Sequence, residues 1–311
     1  MLVYFNQSML TRYTQKNLAW IDLVAPTPEE VRALLHEFGF NPIIGQELLS
    51  LSPRPKVERF DDAVYAVFHI PGLHDKTQRS TTKEIDILVG KNYIITTRYE
   101  DMASLRAFAK AFEVDSVLAS PGQHLHGGHL FASIMRHLYR ALGDEADAIR
   151  GKLGSIEERL FDNNEKEMVA EISRIGSIIY DFRQILSPHD EMLRTLEAPL
   201  ERMFGREYSY YIRSTAAEHE RAKELIDNLR ESMLELRETN NSLLNAKQNE
   251  VMKNFSVLAF VFVPVSLIMS LYQMGLPGTP FVELLNFWVV LSIISIISLA
   301  FFIYFKLKGL L

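Results

Sequence analysis

Two apolar runs near the C-terminus, residues 255–272 and 284–305, leave this chain few options, because neither contains Lys, Arg, Asp or Glu. The first is about the minimum that crosses a ~30 Å hydrocarbon core, and the second exceeds it. A buried helix hairpin of a soluble protein shares the pattern. Two such runs, back to back and joined by a short Gly/Pro-rich loop, fit a pair of membrane spans better. The expected architecture is an α/β domain followed by long helices and a C-terminal two-helix transmembrane hairpin.

The flanking charges give an orientation. Lys247 and Lys253 precede the first run, Lys306 and Lys308 follow the second, and residues 273–283 contain no Lys or Arg. By the positive-inside rule both termini are expected in the cytoplasm, with the loop outside, in a multi-pass protein of the cell (inner or plasma) membrane. Asn6, Gln7 and Arg12 interrupt any early signal-peptide run, so the large N-terminal part is expected to stay on the side of its synthesis. A chain without cysteine has no disulfide framework and no thiolate metal site. A net charge of −6 argues against nucleic acid as a partner.

The pattern along the chain divides it into a cytoplasmic α/β domain (1–126), a cytoplasmic helical region (127–204), a stalk helix (205–254), transmembrane helix 1 (255–273), an outer loop (274–283), transmembrane helix 2 (284–305) and a cytoplasmic tail (306–311). Residues 2–5 and 20–23 are strand candidates. Thr27 is an N-cap candidate, with Pro28 at the first helical position, Glu29 and Glu30 in the first turn, and Gly39 as the stop. Residues 64–70, 85–89 and 93–97 are rich in strand formers, and Gly90-Lys91-Asn92 signals a hairpin turn. Helical spacing then takes over, with Phe131, Ile134, Leu138 and Leu142 on one stripe. A break follows at Ser187-Pro188. From residue 208 to 272 there is no glycine, and the one proline is Pro264.

One stripe of this last segment carries the chemistry. Glu238, Asn241, Asn245, Asn249, Met252, Ser256, Ala259, Val263, Ser266, Ser270 and Gln273 recur about every 3.5 residues, the period that keeps a seam facing partner helices. All are small, polar or flexible, apart from Val263, while Leu258, Phe260, Phe262, Leu267, Ile268 and Leu271 flank them with bulk. Two readings fit. Small residues permit close helix–helix packing in membranes, and polar groups at membrane depth also line water-filled conduits. The three asparagines at the inner end favour the conduit, since amide carbonyls suit hard cations or their hydration shells. Two spans cannot enclose a pore, so a ring of identical subunits is required. Pro264 reads as an ordinary kink. Met252 and Val263 are either hydrophobic constrictions or packing residues.

Several segments are similar to the CorA superfamily of divalent-cation channels and transporters, which includes zinc-transporting ZntB members. They are Trp20-Ile21-Asp22-Leu23 with Pro26-Thr27-Pro28-Glu29-Glu30, Arg54-Pro55-Lys56-Val57-Glu58 with Asp61-Asp62, Gly90-Lys91-Asn92-Tyr93-Ile94-Ile95-Thr96, Asn249-Glu250-Val251-Met252-Lys253, and Phe305-Lys306-Leu307-Lys308-Gly309-Leu310. Each is weak alone; their order over nearly the whole chain is specific. The resemblance implies a homopentameric funnel in the lipid bilayer, with no resident cofactor and with a divalent cation, Mg2+ or Zn2+, as cargo. The implied pore positions are Asn249, Met252, Phe255 or Ser256, Ala259, Val263, Ser266 and Ser270, with an outer mouth at Tyr272, Gln273, Met274, Gly275 and Glu283.

The mouth departs from the family pattern of Gly-Met-Asn after a tyrosine, because Tyr272 is followed here by Gln273-Met274-Gly275. A glycine offers an ion only its backbone carbonyl. Alternatively, Gly275-Leu276-Pro277-Gly278 matches the loop of the zinc-type branch. Glu283 is the one carboxylate of the outer loop; it forms a cation-concentrating ring in a pentamer or is simply a solvated end residue. Members of the family sense intracellular metal through carboxylates between cytoplasmic domains, and the resemblance makes Asp61, Asp62, Glu84, Asp86 and Asp181 candidates, without a residue-by-residue match; the other reading is plain solvated acids. His124, His126 and His129 lie close enough in sequence to bind a transition metal, or form part of a plain loop. No phosphate-binding loop and no nucleophile–base constellation is present, so an enzyme is not expected. The expected function is a divalent metal-ion channel. The alternatives are a zinc-type, proton-coupled transporter and a non-conducting scaffold or sensor.

Overall fold

A computed structural model describes residues 9–15, 17–60, 62–73, 80–118, 126–161, 165–273 and 287–307. The chain forms two compact units, Met1–Arg237 and Glu238–Leu311. The strand expected at residues 2–5 lies outside the described residues.

Six strands of the first unit form one sheet: β1 (Met9–Gln15), β2 (Leu18–Val24), β3 (Lys56–Arg59), β4 (Ala63–Leu73), β5 (Ser80–Gly90) and β6 (Tyr93–Arg98). Their spatial order is β1-β2-β6-β5-β4-β3. All neighbours are antiparallel except β2 and β6, which run parallel with Ile21 opposite Ile95. The hairpin signal is realised between β5 and β6, and Gly90 is needed there: a Cβ at this position would meet the Tyr93 ring at 2.3 Å.

Alternation along the strands gives the sheet two buried faces. On one, Ile21, Leu23, Tyr65, Val67, Leu88 and Ile95 meet Val31 and Leu34 of α1 (Pro28–Phe38) and Ile44 of α2 (Pro42–Glu47). Helix α1 begins at the expected residue. The Thr27 side chain accepts from Glu30 N–H, Glu30 reaches back to Thr27 N–H at 2.8 Å, and Gly39 closes the helix at φ 64°. Such a capping box is worth about 1 kcal/mol.

The opposite face packs against α3 (Ala103–Leu118), α4 (Gly127–Leu160), α5 (Glu165–Leu186) and α6 (His189–Phe204). Phe68 meets Phe131 there, and Trp20 packs between Phe108 and Phe112 at 5.4 and 5.6 Å. The stripe Phe131, Ile134, Leu138 and Leu142 is buried as its spacing requires. Helix α4 starts hard against the β5–β6 turn: Gly127 N–H donates to Lys91 O at 2.9 Å, and a Cβ on Gly127 would lie 2.2 Å from Gly90 O. Two helices remain, α7 (Tyr208–Gln273), 66 residues long, and α8 (Phe287–Leu307).

Candidate conducting helix

The first half of α7 is held by the helical layer of its own unit. Tyr208, Ile212, Thr215, His219, Ala222, Ile226, Leu229 and Met233 are all buried, and their steps of four and three place them on one face. Polar contacts fix its register on α4 and α5. Tyr208 hydroxyl donates to Gly128 O at 2.8 Å, Glu218 accepts from Arg140 at 2.6 and 3.1 Å, and Arg183 lies 3.2 Å from Asp227. The Arg140 guanidinium holds the Glu218 carboxyl below the usual carboxylate range. His219 Nε2 lies 3.0 Å from Leu186 O.

Within the second unit, side chains along α7 sort differently. Val257 and, on α8, Ile294 are the buried apolar residues among those described. Lys253, Pro264 and Val265 are partly shielded and lie, at 100° per residue, on the Val257 side of the helix. Asn241, Asn245, Asn249, Met252, Ser256, Ala259, Val263, Ser266 and Ser270 are all exposed, and by the same step they share one arc of about 100° that excludes Val257. Met252 and Val263 are 61% and 63% exposed. None of these nine residues is buried against its own chain, which removes close packing within one subunit as the reason for their small size. Ser256 and Ser266 return their hydroxyl protons to Met252 O and Val263 O at 2.8 and 2.9 Å. The bulky Phe255, Leu258, Phe260, Phe262 and Leu267 are exposed on both flanks of the stripe. A large apolar surface of this kind is stable only against lipid or another helix.

Tyr272 and Gln273 are the penultimate and last residues of α7. Met274, Gly275 and Glu283 lie outside the described residues. Among the described helices, α7 is the one long and apolar enough to cross a membrane by length and composition, and the apolar stretch of α8, Leu291–Phe301, is shorter.

His126 and His129 have another use than metal binding. His126 is the N-cap of α4, its Nδ1 accepting the Gly128 N–H at 3.1 Å. Its ring stacks on Phe204 with centroids 4.2 Å apart and on His129 at 3.8 Å. Burial, then the neighbouring His129, lowers its pKa to about 4. His124 lies outside the described residues. Among the described residues no group of three or more His, Cys, Asp or Glu is arranged to hold a metal ion.

Sequence reasoning missed a polar layer between the sheet and α7. His189 is fully buried, with Nδ1 3.0 Å from Tyr139 hydroxyl and Nε2 3.0 Å from His69 O, and it packs near His219. The only available signal was a set of isolated histidines at scattered positions, with no spacing to unite them.

A six-stranded sheet layered with helices, followed in the chain by a 66-residue helix whose far end is apolar enough to cross a membrane, is the layout of a membrane protein. The chain belongs to the family described as CorA-like Mg2+ transporter protein, whose model matches residues 15–308. It is 22% identical to the cobalt/magnesium transport protein CorA of Thermotoga maritima, over 97% of this chain and 86% of that protein. The fold is similar to the complete CorA magnesium transporter of Methanocaldococcus jannaschii, with a TM-score of 0.80 and 19% identity over 95% and 92% of the two chains. It is also similar to the cytoplasmic domain of ZntB from Vibrio parahaemolyticus, with a TM-score of 0.60 and 14% identity over 74% and 88%. Family membership makes this chain a divalent metal-ion transporter and not an enzyme.

Proposed function

We propose that the protein is a homopentameric channel for divalent cations, with the exposed stripe of α7 as its pore lining. The observation that carries this reading is the segregation on α7: small and polar side chains share one exposed arc of the helix, with bulky apolar residues on both flanks. Cyclic symmetry brings five such faces to a common axis. A hairpin of two spans, with both termini cytoplasmic, puts the Asn241–Asn245–Asn249 ladder at the inner end and Tyr272, Gln273, Met274, Gly275 and Glu283 at the outer mouth. Cations collect at the Glu283 ring, pass the serine hydroxyls largely hydrated, and leave past the asparagine carbonyls. No cofactor takes part; the metal ion is cargo. The family description and the magnesium transported by the named relatives support Mg2+ as that cargo.

The test is divalent-ion influx into proteoliposomes, followed with an entrapped fluorescent indicator. Flux of at least one of Mg2+, Co2+, Ni2+ or Zn2+ is expected, and no flux of any of them defeats the proposal. A second reading rests on the altered mouth, where Gln273-Met274-Gly275 replaces Gly-Met-Asn and Gly275-Leu276-Pro277-Gly278 resembles the loop of the zinc-type branch. It makes the cargo Zn2+, driven by a proton gradient. Zinc influx that follows an imposed pH gradient, beside negligible Mg2+ influx, decides for it.

A further inference from the structure

Strand β5 carries two carboxylates, Glu84 and Asp86, two residues apart and so on the same face of the sheet. Both are out of solvent, at 7% and 0% exposure. Glu84 is well provided for. Its oxygens accept the Ser52 N–H at 2.9 and 3.0 Å, and Oε2 lies 3.1 Å from His69 Nε2. Asp86 is not. Its Oδ2 accepts the Tyr65 hydroxyl at 3.1 Å, but Oδ1 is buried without a partner, and Asp86 has no ion pair among the described residues.

The ionisable groups around Asp86 come from every packed element: Tyr65 and His69 on β4, Glu84 on β5, Glu47 on α2, Lys56 on β3, and Tyr99 just after β6. The cations among them are engaged elsewhere. Lys56 binds Glu47 and Glu58 at 2.9 and 3.0 Å, and His69 faces Glu84. A bare carboxylate oxygen in this place would be desolvated, unpaired and beside a second negative charge. Each of these raises the cost of ionisation, and a buried polar atom is normally satisfied.

We infer that this site binds a proton: at neutral pH Asp86 is a carboxylic acid, held between the Tyr65 hydroxyl and the neighbouring Glu84 carboxylate group. Burial first, and then the Glu84 charge, raise the Asp86 pKa from 3.8 to about 8. Tyr65 and Tyr99 are raised as well, so both stay neutral beside it. The site lies in the sheet, apart from the stripe of α7, and its titration does not depend on which ion the protein carries.

The experiment compares full-length wild type with Asp86→Asn in detergent micelles. The native state keeps a proton that the unfolded chain releases near pH 3.8, so this group makes wild type less stable as pH rises to about 8 and then has no further effect. The melting temperature of Asp86→Asn should therefore gain on wild type from about pH 5 to about pH 8 and then run parallel to it. A constant gap across that range overturns the proposal. Infrared spectroscopy of the wild type gives a second arm that does not need the variant to fold. A protonated-carboxyl stretch at neutral pH that disappears on alkaline titration is expected, and its absence at neutral pH overturns the proposal.

Discussion

Single side chains in the first unit carry consequences out of proportion to their size. Asp22 and Arg98 form a buried ion pair at 2.8 Å, each side chain 7% exposed, and Thr96 hydroxyl donates to the other Asp22 oxygen at 2.7 Å. Trp20 Nε1 donates in turn to Thr96 at 3.0 Å. Trp20 and Asp22, two residues apart, lie on the same face of β2 and so reach the one Thr96 hydroxyl. Removing one partner leaves the other charge buried, so Arg98→Ala should cost about 3–5 kcal/mol in chemical denaturation, whereas an exposed charge such as Arg194 should cost less than ~1 kcal/mol. His189 sets an acid limit. Burial, then His219, lowers its pKa from 6.5 to about 3. The unfolded chain therefore takes up a proton near pH 6.5 that the native state refuses. Stability from this group is complete above about pH 6.5 and falls by about 1.4 kcal/mol per unit as pH drops below it. Denaturation midpoints at pH 7.5 and about pH 5 should show this loss, and His189→Phe should flatten it at some cost from the unpaired Tyr139 hydroxyl.

At the scale of elements, α7 is one helix with two different faces in succession. Through Met233 its apolar residues face the helical layer; beyond Arg237, in the second unit, the small-residue stripe and its bulky apolar flanks are both exposed. Bulk introduced on the stripe should act on transport and not on folding, because Asn249 and Ser266 are exposed in their own chain. We expect Asn249→Leu together with Ser266→Leu to reduce ion influx at least about tenfold, equivalent to ~1.4 kcal/mol of barrier, while leaving expression and melting temperature near wild type. Unchanged flux in the double variant would assign the stripe to a scaffold. Thr27→Ala should cost about 1 kcal/mol through its capping box alone, with no effect on flux.

For the whole molecule, the prediction concerns assembly and driving force. A conduit needs several copies, so the purified protein should have the mass of a pentamer, measured by mass photometry in detergent or nanodiscs; a monomer under conditions that support flux would exclude a shared pore. A doubly charged ion gains about 4.6 kcal/mol from 100 mV of membrane potential. Influx into liposomes should therefore increase steeply with an inside-negative potassium-diffusion potential, with no added nucleotide.

The sequence by itself determined what depends on local or one-dimensional order. Two uncharged apolar runs specify solvent, Thr27-Pro28 and Gly39 specify a helix's ends, and a period near 3.5 specifies which residues share the outward face of α7. Strand β1, with its largely polar Met9–Gln15, and the helices α2 and α3 were not legible, because their stability comes from edge pairing and ring packing with distant residues such as Trp20. Only the tertiary structure decided that Asp86 meets Tyr65, that His189 sits between Tyr139 and His69, and that His126 caps α4 and stacks on Phe204. Those facts depend on the dielectric and the partners around each group, and burial is a property of the folded chain that spacing does not encode.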